Sequence, residues 1–199
     1  MVKTPVRAII FDLYGVLIIN GWAAFKMRHF AEREDVWHQL HLLGRKADAG
    51  LAGYEEMVQF AAEQTGETEA AVRHELEHSV VDDALLEYIH SQLRPYYKLG
   101  ILSNAGTNIT ERLFTPQQLA LFDAEVLSHG VGLTKPQPEM YQMIADRLGL
   151  DPVECLFIDD HERHLAGAQD VGMHTLLYTD FERFQAELPK LLAASQPAA

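Results

Sequence analysis

Short apolar runs alternate with helix-like segments along most of this 199-residue chain, and that alternation constrains the fold more than any other feature. Residues 6–11, 97–102, 124–128, 155–158 and 174–178 are predicted to be strands. Helical patterns cover residues 83–93, 138–148 and 163–171, and a further one begins near residue 108. Strands that alternate with helices in this way form parallel sheets with crossover connections. The sequence therefore predicts an α/β fold built on a doubly wound parallel sheet.

One block of the chain does not follow the alternation. Residues 19–81 contain no convincing strand and read as amphipathic helices, with breaks expected near Gly44, at residues 50–53 and near Gly66. The block leaves the sheet just after the first strand, so we interpret it as a small helical cap over the carboxyl edge of the sheet. Residues 1–18 and 82–199 then make up the core domain, and residues 193–199 are expected to be a frayed tail.

Composition excludes several classes of partner. The net charge of −13 argues against nucleic acid and anionic membrane surfaces, both of which attract basic proteins. Cys155 is the only cysteine, which leaves no intrachain disulfide. No apolar stretch approaches the ~20 residues of a membrane span, and the start of the chain has no signal-peptide pattern. We therefore expect a cytoplasmic protein with no membrane or nucleic-acid partner.

Polar residues accompany four of the predicted strands, and the carboxyl ends of parallel strands meet at one edge of a sheet. We expect these residues to converge in a crevice at that edge. They are Asp12 with Tyr14, Ser103 with Asn104, Lys135, and Asp159 with Asp160.

The chemistry of these groups fits phosphoryl transfer. Asp12 can act as a nucleophile towards phosphorus, and the hydroxyl and amide of the second segment can donate hydrogen bonds to phosphoryl oxygens. Lys135 supplies a fixed positive charge for an oxyanion-rich transition state. The Asp159–Asp160 pair and Asp12 offer hard oxygen ligands of the kind that suit Mg²⁺, which would offset the repulsion between a phosphate and the nucleophile.

Taken in order, the four segments resemble the four motifs of the haloacid dehalogenase-like (HAD) superfamily, and the resemblance covers nearly the whole chain. Residues 157–160, with Gly167, Ala168 and Gly172, are similar to the branch that contains the phosphatase domain of soluble epoxide hydrolases and bacterial sugar-phosphate phosphatases. The resemblance implies a Rossmann-like core with a small helical cap. It also implies a Mg²⁺-dependent hydrolase, a phosphatase that acts on a small phosphorylated metabolite.

The resemblance implies roles for the residues of the substrate side. Asp12 would be the nucleophile that becomes an aspartyl-phosphate, with Ser103 and Asn104 binding the phosphoryl group. Lys135 would orient the nucleophile and balance charge. Arg45, beside the glycine-rich break of the cap, is a candidate that points to substrate from the cap.

The resemblance also implies a ligand set for the metal. Asp12 and the backbone carbonyl of Tyr14 would bind Mg²⁺, and Asp159 and Asp160 would hold it directly or through water. Two histidines, His161 and His164, follow the acidic pair closely enough to touch this site.

Tyr14 departs from the pattern, since a second aspartate often stands there as the acid/base. A phenol, with a pKa near 10, is a poor base at neutral pH but can donate a proton. The departure keeps two alternatives open: a metal-independent 2-haloacid dehalogenase that uses Asp12 against carbon, and a low-activity regulatory relative. The dehalogenase would need an arginine for halide and carboxylate, for which Arg45 or Arg28 is available. The acidic pair at Asp159–Asp160 favours the phosphatase.

Overall fold

The computed structural model describes residues 4–19, 21–48, 54–105 and 108–195. Its sheet strands are β1 (Ala8–Phe11), β4 (Lys98–Ser103), β5 (Ala124–Leu127), β6 (Cys155–Asp159) and β7 (His174–Leu177). They form a five-stranded sheet in the order β5-β4-β1-β6-β7, and each neighbouring pair is parallel. The predicted doubly wound parallel sheet is therefore confirmed.

The remaining elements connect these strands. Between β1 and β4 lie β2 (Ile18–Ile19), α1 (Gly21–His29), α2 (Glu34–Asp48), α3 (Tyr54–Thr65), α4 (Glu69–Glu77), β3 (Val80–Val81) and α5 (Asp83–Tyr88), which continues as a π-helical turn (Ile89–Leu93). Beyond β4 lie α6 (Ile109–Leu113), α7 (Pro116–Leu119), α8 (Ser128–Val131), α9 (Pro138–Leu148), a 3₁₀ turn (Pro152–Glu154), α10 (Glu162–Asp170) and α11 (Phe181–Ser195).

Strand β1 lies at the centre of the sheet because all its side chains are apolar. Alternate residues of a strand face opposite sides, so Ile9 and Phe11 join one hydrophobic cluster, with α5 and α11. Ala8 and Ile10 join the other cluster, with α9 and α10. The core therefore consists of two layers of helices around the sheet, and it holds the carboxyl ends of β1, β4 and β6 at one edge.

Helix α9 begins and ends at residues that are typical of helix ends. Pro138 occupies its first turn, where a missing N–H costs nothing. Gly149 ends it in the left-handed conformation, at φ 66°, that glycine adopts without steric cost. The predicted bounds of residues 138–148 agree with those of the structure, and this helix begins three residues after Lys135.

The chain divides into two compact units, residues 1–18 with 81–199, and residues 19–80. The sequence predicts the division after residue 18 and before residue 82. Within the second unit, α1 to α4 pack around their own apolar cluster, which includes Phe25, Phe30 and Leu40.

Two local predictions for the second unit have different outcomes. The break predicted near Gly44 is wrong, because α2 continues through it to Asp48; the neighbours of a single glycine can keep a helix intact at modest cost. The break at Gly66 is present, with a left-handed φ of 76°. The glycine-rich segment 50–53 lies outside the described residues.

The C-terminal helix is longer than the sequence predicts. The predicted tail starts too early, because α11 extends to Ser195, which is buried; residues 196–199 lie outside the described part.

Among the residues that the structure describes, no helix is long and apolar enough to cross a membrane.

The packing of α9 on the sheet makes a stability prediction. Ile144 is fully buried and lies over Gly100 of β4. Replacing it with alanine leaves a cavity, so Ile144→Ala should lower the free energy of unfolding by about 2–5 kcal/mol. Val153→Ala, at a side chain that is 43% exposed, should change it by no more than about 0.5 kcal/mol. Denaturant unfolding of both variants measures this, and equal losses would contradict the packing.

Candidate active site

Asp12 lies directly after β1, where its backbone N–H still donates to the carbonyl of Ile158 on the neighbouring strand. The hydrogen bonds between β1 and β6 therefore continue to Asp12 and fix its backbone. Its Oδ1 accepts a hydrogen bond from the N–H of Leu13 at 2.7 Å and lies 2.9 Å from Nζ of Lys135. Both contacts go to the same oxygen, so neither occupies the second oxygen, Oδ2.

Lys135 has a fully buried side chain whose ammonium lies between two carboxylates. Its Nζ is 2.9 Å from Asp12 and 2.7 Å from Asp159, and it also lies 5.2 Å from the ring centroid of Phe157. A buried ammonium is stable only when charge partners compensate for lost water. The structure therefore brings together the predicted nucleophile, the predicted lysine and one aspartate of the predicted acidic pair.

Asn104 holds the loop that carries Lys135. Its Oδ1 accepts from the backbone N–H of Lys135 at 2.7 Å, and its Nδ2 donates to the Lys135 carbonyl at 3.1 Å. The oxygen and the nitrogen of this side-chain amide therefore both bond to the Lys135 backbone, a role that the sequence did not predict. Its neighbour Ser103 is buried at the end of β4, and its hydroxyl, like Lys135, acts to lower the pKa of Asp12 against the effect of burial.

A second contact behind this loop is steric. A Cβ on Gly167 of α10 would lie 2.7 Å from Cβ of Pro136 and 2.9 Å from its carbonyl oxygen. The lack of a side chain at Gly167 thus lets α10 lie directly against the Lys135–Pro136 segment, whose peptide bond is cis. Tyr141 of α9 completes the contact by donating from its hydroxyl to the carbonyl of His164.

Asp159 is the fully buried carboxylate of the acidic pair, and protein donors surround it. Lys135 Nζ lies at Oδ2, and the N–H of His161 donates to Oδ1 at 2.8 Å. Nδ1 of His164 lies 3.0 and 3.1 Å from the two oxygens. Burial alone would raise the pKa of Asp159, but the His164 hydrogen bond and the charge of Lys135 outweigh it and lower the pKa to about 2. Asp159 is therefore an anion held on both oxygens.

Asp160 differs from its neighbour in that its Oδ1 is buried and has no hydrogen-bond partner in the described part of the chain. Its Oδ2 lies where a Cβ on Gly15 would be only 2.4 Å away, so the glycine turn after β1 leaves room for this carboxylate. A buried, unpartnered carboxylate oxygen beside the glycine turn that follows β1 fits a hard cation such as Mg²⁺.

Asp12, Asp159 and His164 also have ligand atoms within 4.8 Å of one another. In that group, however, the Lys135 ammonium already lies against both carboxylates. Its positive charge opposes a second cation at the two oxygens that it contacts, Oδ1 of Asp12 and Oδ2 of Asp159. Asp160 is the better candidate for direct coordination on this ground.

The remaining carboxyl pKa values follow from burial. Burial raises the pKa of Asp12 most, and the nearby charge of Lys135 works against it. Burial also raises the pKa of Asp160, opposed by His161 and reinforced by Asp159. Raised carboxyl pKa values are typical of functional sites. A bound cation would favour the ionised form of both.

Within the described part of the chain, the hydroxyl of Tyr14 is not brought to Asp12. The ring of Tyr14 packs partly buried against the apolar cluster around β1, and its hydroxyl makes no hydrogen bond to Asp12. Arg45 lies in α2, but its side chain is outside those described. His164 is brought into the site, and the sequence indicated it only by its closeness to the acidic pair.

Comparison with known proteins places this arrangement in a family context. A family model described as haloacid dehalogenase-like hydrolase matches residues 6–172. Bifunctional epoxide hydrolase 2 of Sus scrofa is 39% identical over 70 residues, which are 35% of this chain and 13% of that protein. The match thus spans only a small part of that relative's length.

Two further similarities extend over most of the chain. (S)-2-haloacid dehalogenase of Xanthobacter autotrophicus is 25% identical over 185 residues, 84% of this chain and 72% of that protein. A HAD family enzyme of Bacteroides thetaiotaomicron, solved with magnesium and inorganic phosphate, superposes with a TM-score of 0.55 at 24% identity. That superposition covers 90% of this chain and 98% of the other, and it supports the fold.

The unpartnered oxygen of Asp160 makes a prediction for thermal unfolding. Folding raises the pKa of this carboxyl, so the folded state retains a proton that the unfolded chain releases. The metal-free protein should therefore lose stability as pH rises through the folded-state pKa. In EDTA above that pKa, Asp160→Asn should melt a few degrees higher than the wild type, and this difference should disappear at acid pH.

Added Mg²⁺ should reverse this order, because it binds and stabilises the wild type but not the variant. Asp170→Asn, at an exposed position at the end of α10, serves as the control and should respond to Mg²⁺ as the wild type does. Equal stabilisation of Asp160→Asn and wild type by Mg²⁺ would refute the assignment.

Proposed function

Because the chain belongs to the haloacid dehalogenase-like hydrolase family and is a hydrolase of that family, we propose that it is a Mg²⁺-dependent phosphatase. Its substrates would be small phosphomonoesters, and Asp12 would be the nucleophile. The observation that carries the proposal is the acidic pair, with one carboxylate held entirely by protein donors and the other left with an unpartnered buried oxygen.

The charge of the site supports the need for a cation. The carboxylates of Asp12 and Asp159 contact one buried ammonium, that of Lys135. Asp160 adds a third carboxylate, with one oxygen buried and unpartnered. A phosphate ester brings further negative charge, which such a site would repel. Asp12, the carbonyl of Tyr14 and Asp160 would hold Mg²⁺, which supplies positive charge to the phosphoryl oxygens when bound. The solved relative with magnesium and inorganic phosphate supports this choice of ion.

The first chemical step forms a bond from Oδ2 of Asp12 to phosphorus. We assign Oδ2 because Leu13 and Lys135 both contact Oδ1. The phosphorus–oxygen bond of the ester breaks in line, and the leaving oxygen departs with the electron pair. Lys135 keeps the attacking carboxylate ionised and oriented, and Ser103 is placed to donate to a phosphoryl oxygen.

The second step hydrolyses the acyl phosphate. Water attacks phosphorus, the bond from phosphorus to Asp12 breaks, and inorganic phosphate leaves with the carboxylate restored. No carboxyl stands at position 14 to exchange protons, and a phenol is a weak base near neutral pH. Esters whose leaving oxygen is stable as an anion should therefore react best, namely aryl, acyl and anomeric phosphates.

A 2-haloacid dehalogenase is the second candidate, and Tyr14 together with the similarity to the Xanthobacter enzyme favours it. In that reaction Asp12 would displace halide from carbon and form an ester. The chemistry needs no metal, so the unpartnered oxygen of Asp160 would have no function in it. This difference makes the phosphatase the better supported of the two.

The direct test is a release assay on the purified protein. Sugar, nucleotide, aryl and acyl phosphates are assayed for phosphate, and a 2-haloacid for halide, each with Mg²⁺ or EDTA. We expect Mg²⁺-dependent phosphate release that is faster for leaving groups of lower pKa, and no halide release. Asp12→Asn should reduce phosphate release by at least about 10⁴-fold, because it removes the nucleophile.

Asp146→Asn, an exposed aspartate of α9, is the matched control and should keep wild-type rates. Metal-independent halide release without phosphate release would establish the dehalogenase instead. Phosphate release at a rate that is independent of leaving-group pKa would contradict the account of Tyr14.

A further inference from the structure

We propose that His164 is a positioning residue whose imidazole fixes Asp159 and, through Asp159, aims the Lys135 ammonium at Asp12. The proposal rests on the proposed role of Asp12 as nucleophile. It assigns a function to a histidine that the sequence indicated only by its closeness to the acidic pair.

The side chain of His164 is oriented so that its Nδ1 contacts the carboxylate of Asp159. Nδ1 lies 3.0 Å from Oδ1 and 3.1 Å from Oδ2 of Asp159, so it faces both oxygens. Its side chain is 15% exposed. The hydroxyl of Tyr141 donates to the backbone carbonyl of His164 at 2.8 Å, which ties this turn of α10 to α9.

The direction of the hydrogen bond follows from Asp159. An ionised carboxylate accepts hydrogen bonds and has none to donate, and Asp159 also accepts from Lys135 and from the N–H of His161. Nδ1 of His164 must therefore carry the proton and act as the donor. The contact determines the tautomer of the histidine by its geometry.

A change in the orientation of Asp159 affects Asp12, because both carboxylates contact the same Lys135 ammonium. Rotation of an aspartate carboxylate about its last torsion is only weakly restricted, so its tilt depends on the donors around it. A donor that faces both Asp159 oxygens restricts that tilt, and Oδ2 then faces Lys135 at 2.7 Å. The same ammonium lies 2.9 Å from Oδ1 of Asp12, so a shift of Asp159 moves the charge that orients the nucleophile.

Substitutions can separate the hydrogen bond from the bulk of the ring. His164→Leu keeps similar volume without a donor. His164→Asn places an amide nitrogen at the position of Nδ1 and retains the donor. His90→Leu and His90→Asn, at an exposed histidine in the π-helical turn, are the matched controls. For each variant, kcat and KM are measured on an aryl phosphate with saturating Mg²⁺, after thermal unfolding has verified that it folds.

We expect His164→Leu to lower kcat by about 10- to 100-fold, the range found when a partner that orients a metal-site residue is removed. KM should change by less than about threefold, and His164→Asn should recover most of the lost kcat. Both His90 variants should match the wild type.

Wild-type kcat in His164→Leu, or equal losses in the Leu and Asn variants, would overturn the proposal. The product that the wild-type protein releases tests the proposed function separately from the role of His164. Should it release halide rather than phosphate, the same variants can be compared on halide release, because Lys135 and Asp12 contact each other whatever atom is attacked.

Discussion

The site depends on one buried ammonium held between two carboxylates. Strands β1 and β6 are neighbours in the sheet, and their parallel register places Asp12 and Asp159 side by side at its carboxyl edge. Two buried anions in such proximity would repel each other, and Lys135 compensates for both. The loop that brings the lysine is held by Asn104 at the end of β4. Three chain segments thus meet at the charge of Lys135, and this meeting point is the candidate active site.

The two adjacent aspartates have different environments, and this difference organises the proposed chemistry. Asp159 is at the end of its strand, where three donors hold it as an anion with a pKa of about 2. Asp160 is turned towards Gly15 and keeps a buried oxygen without a partner. One carboxylate orients the lysine, and the other offers a ligand to a cation. Adjacent carboxylates can have such different roles because successive residues at a strand end point in different directions.

Much of this was accessible from sequence. The sheet and the bounds of α9 follow from apolar runs, Pro138 and Gly149, since local patterns dictate them. The convergence of Asp12, Lys135 and Asp159 follows from strand ends in a parallel sheet. The clamp from Asn104, the contact of Gly167 with Pro136 and the hydrogen bond from His164 did not follow. Each depends on distances between segments remote in sequence, which no local pattern encodes. The helix through Gly44 was missed because packing can override a weak local preference.

The central claim is that Asp12 forms its bond to phosphorus rather than to carbon, and an isotope label tests it most directly. A single turnover in heavy-oxygen water, with enzyme in excess over an aryl phosphate and Mg²⁺ present, is followed by mass spectrometry of the peptide that contains Asp12. The account predicts label in the released phosphate and none in Asp12, because water attacks phosphorus. A parallel turnover of a haloacid is followed in the same way. Heavy oxygen in the Asp12 carboxylate from the haloacid, without labelled phosphate from the ester, would contradict the account.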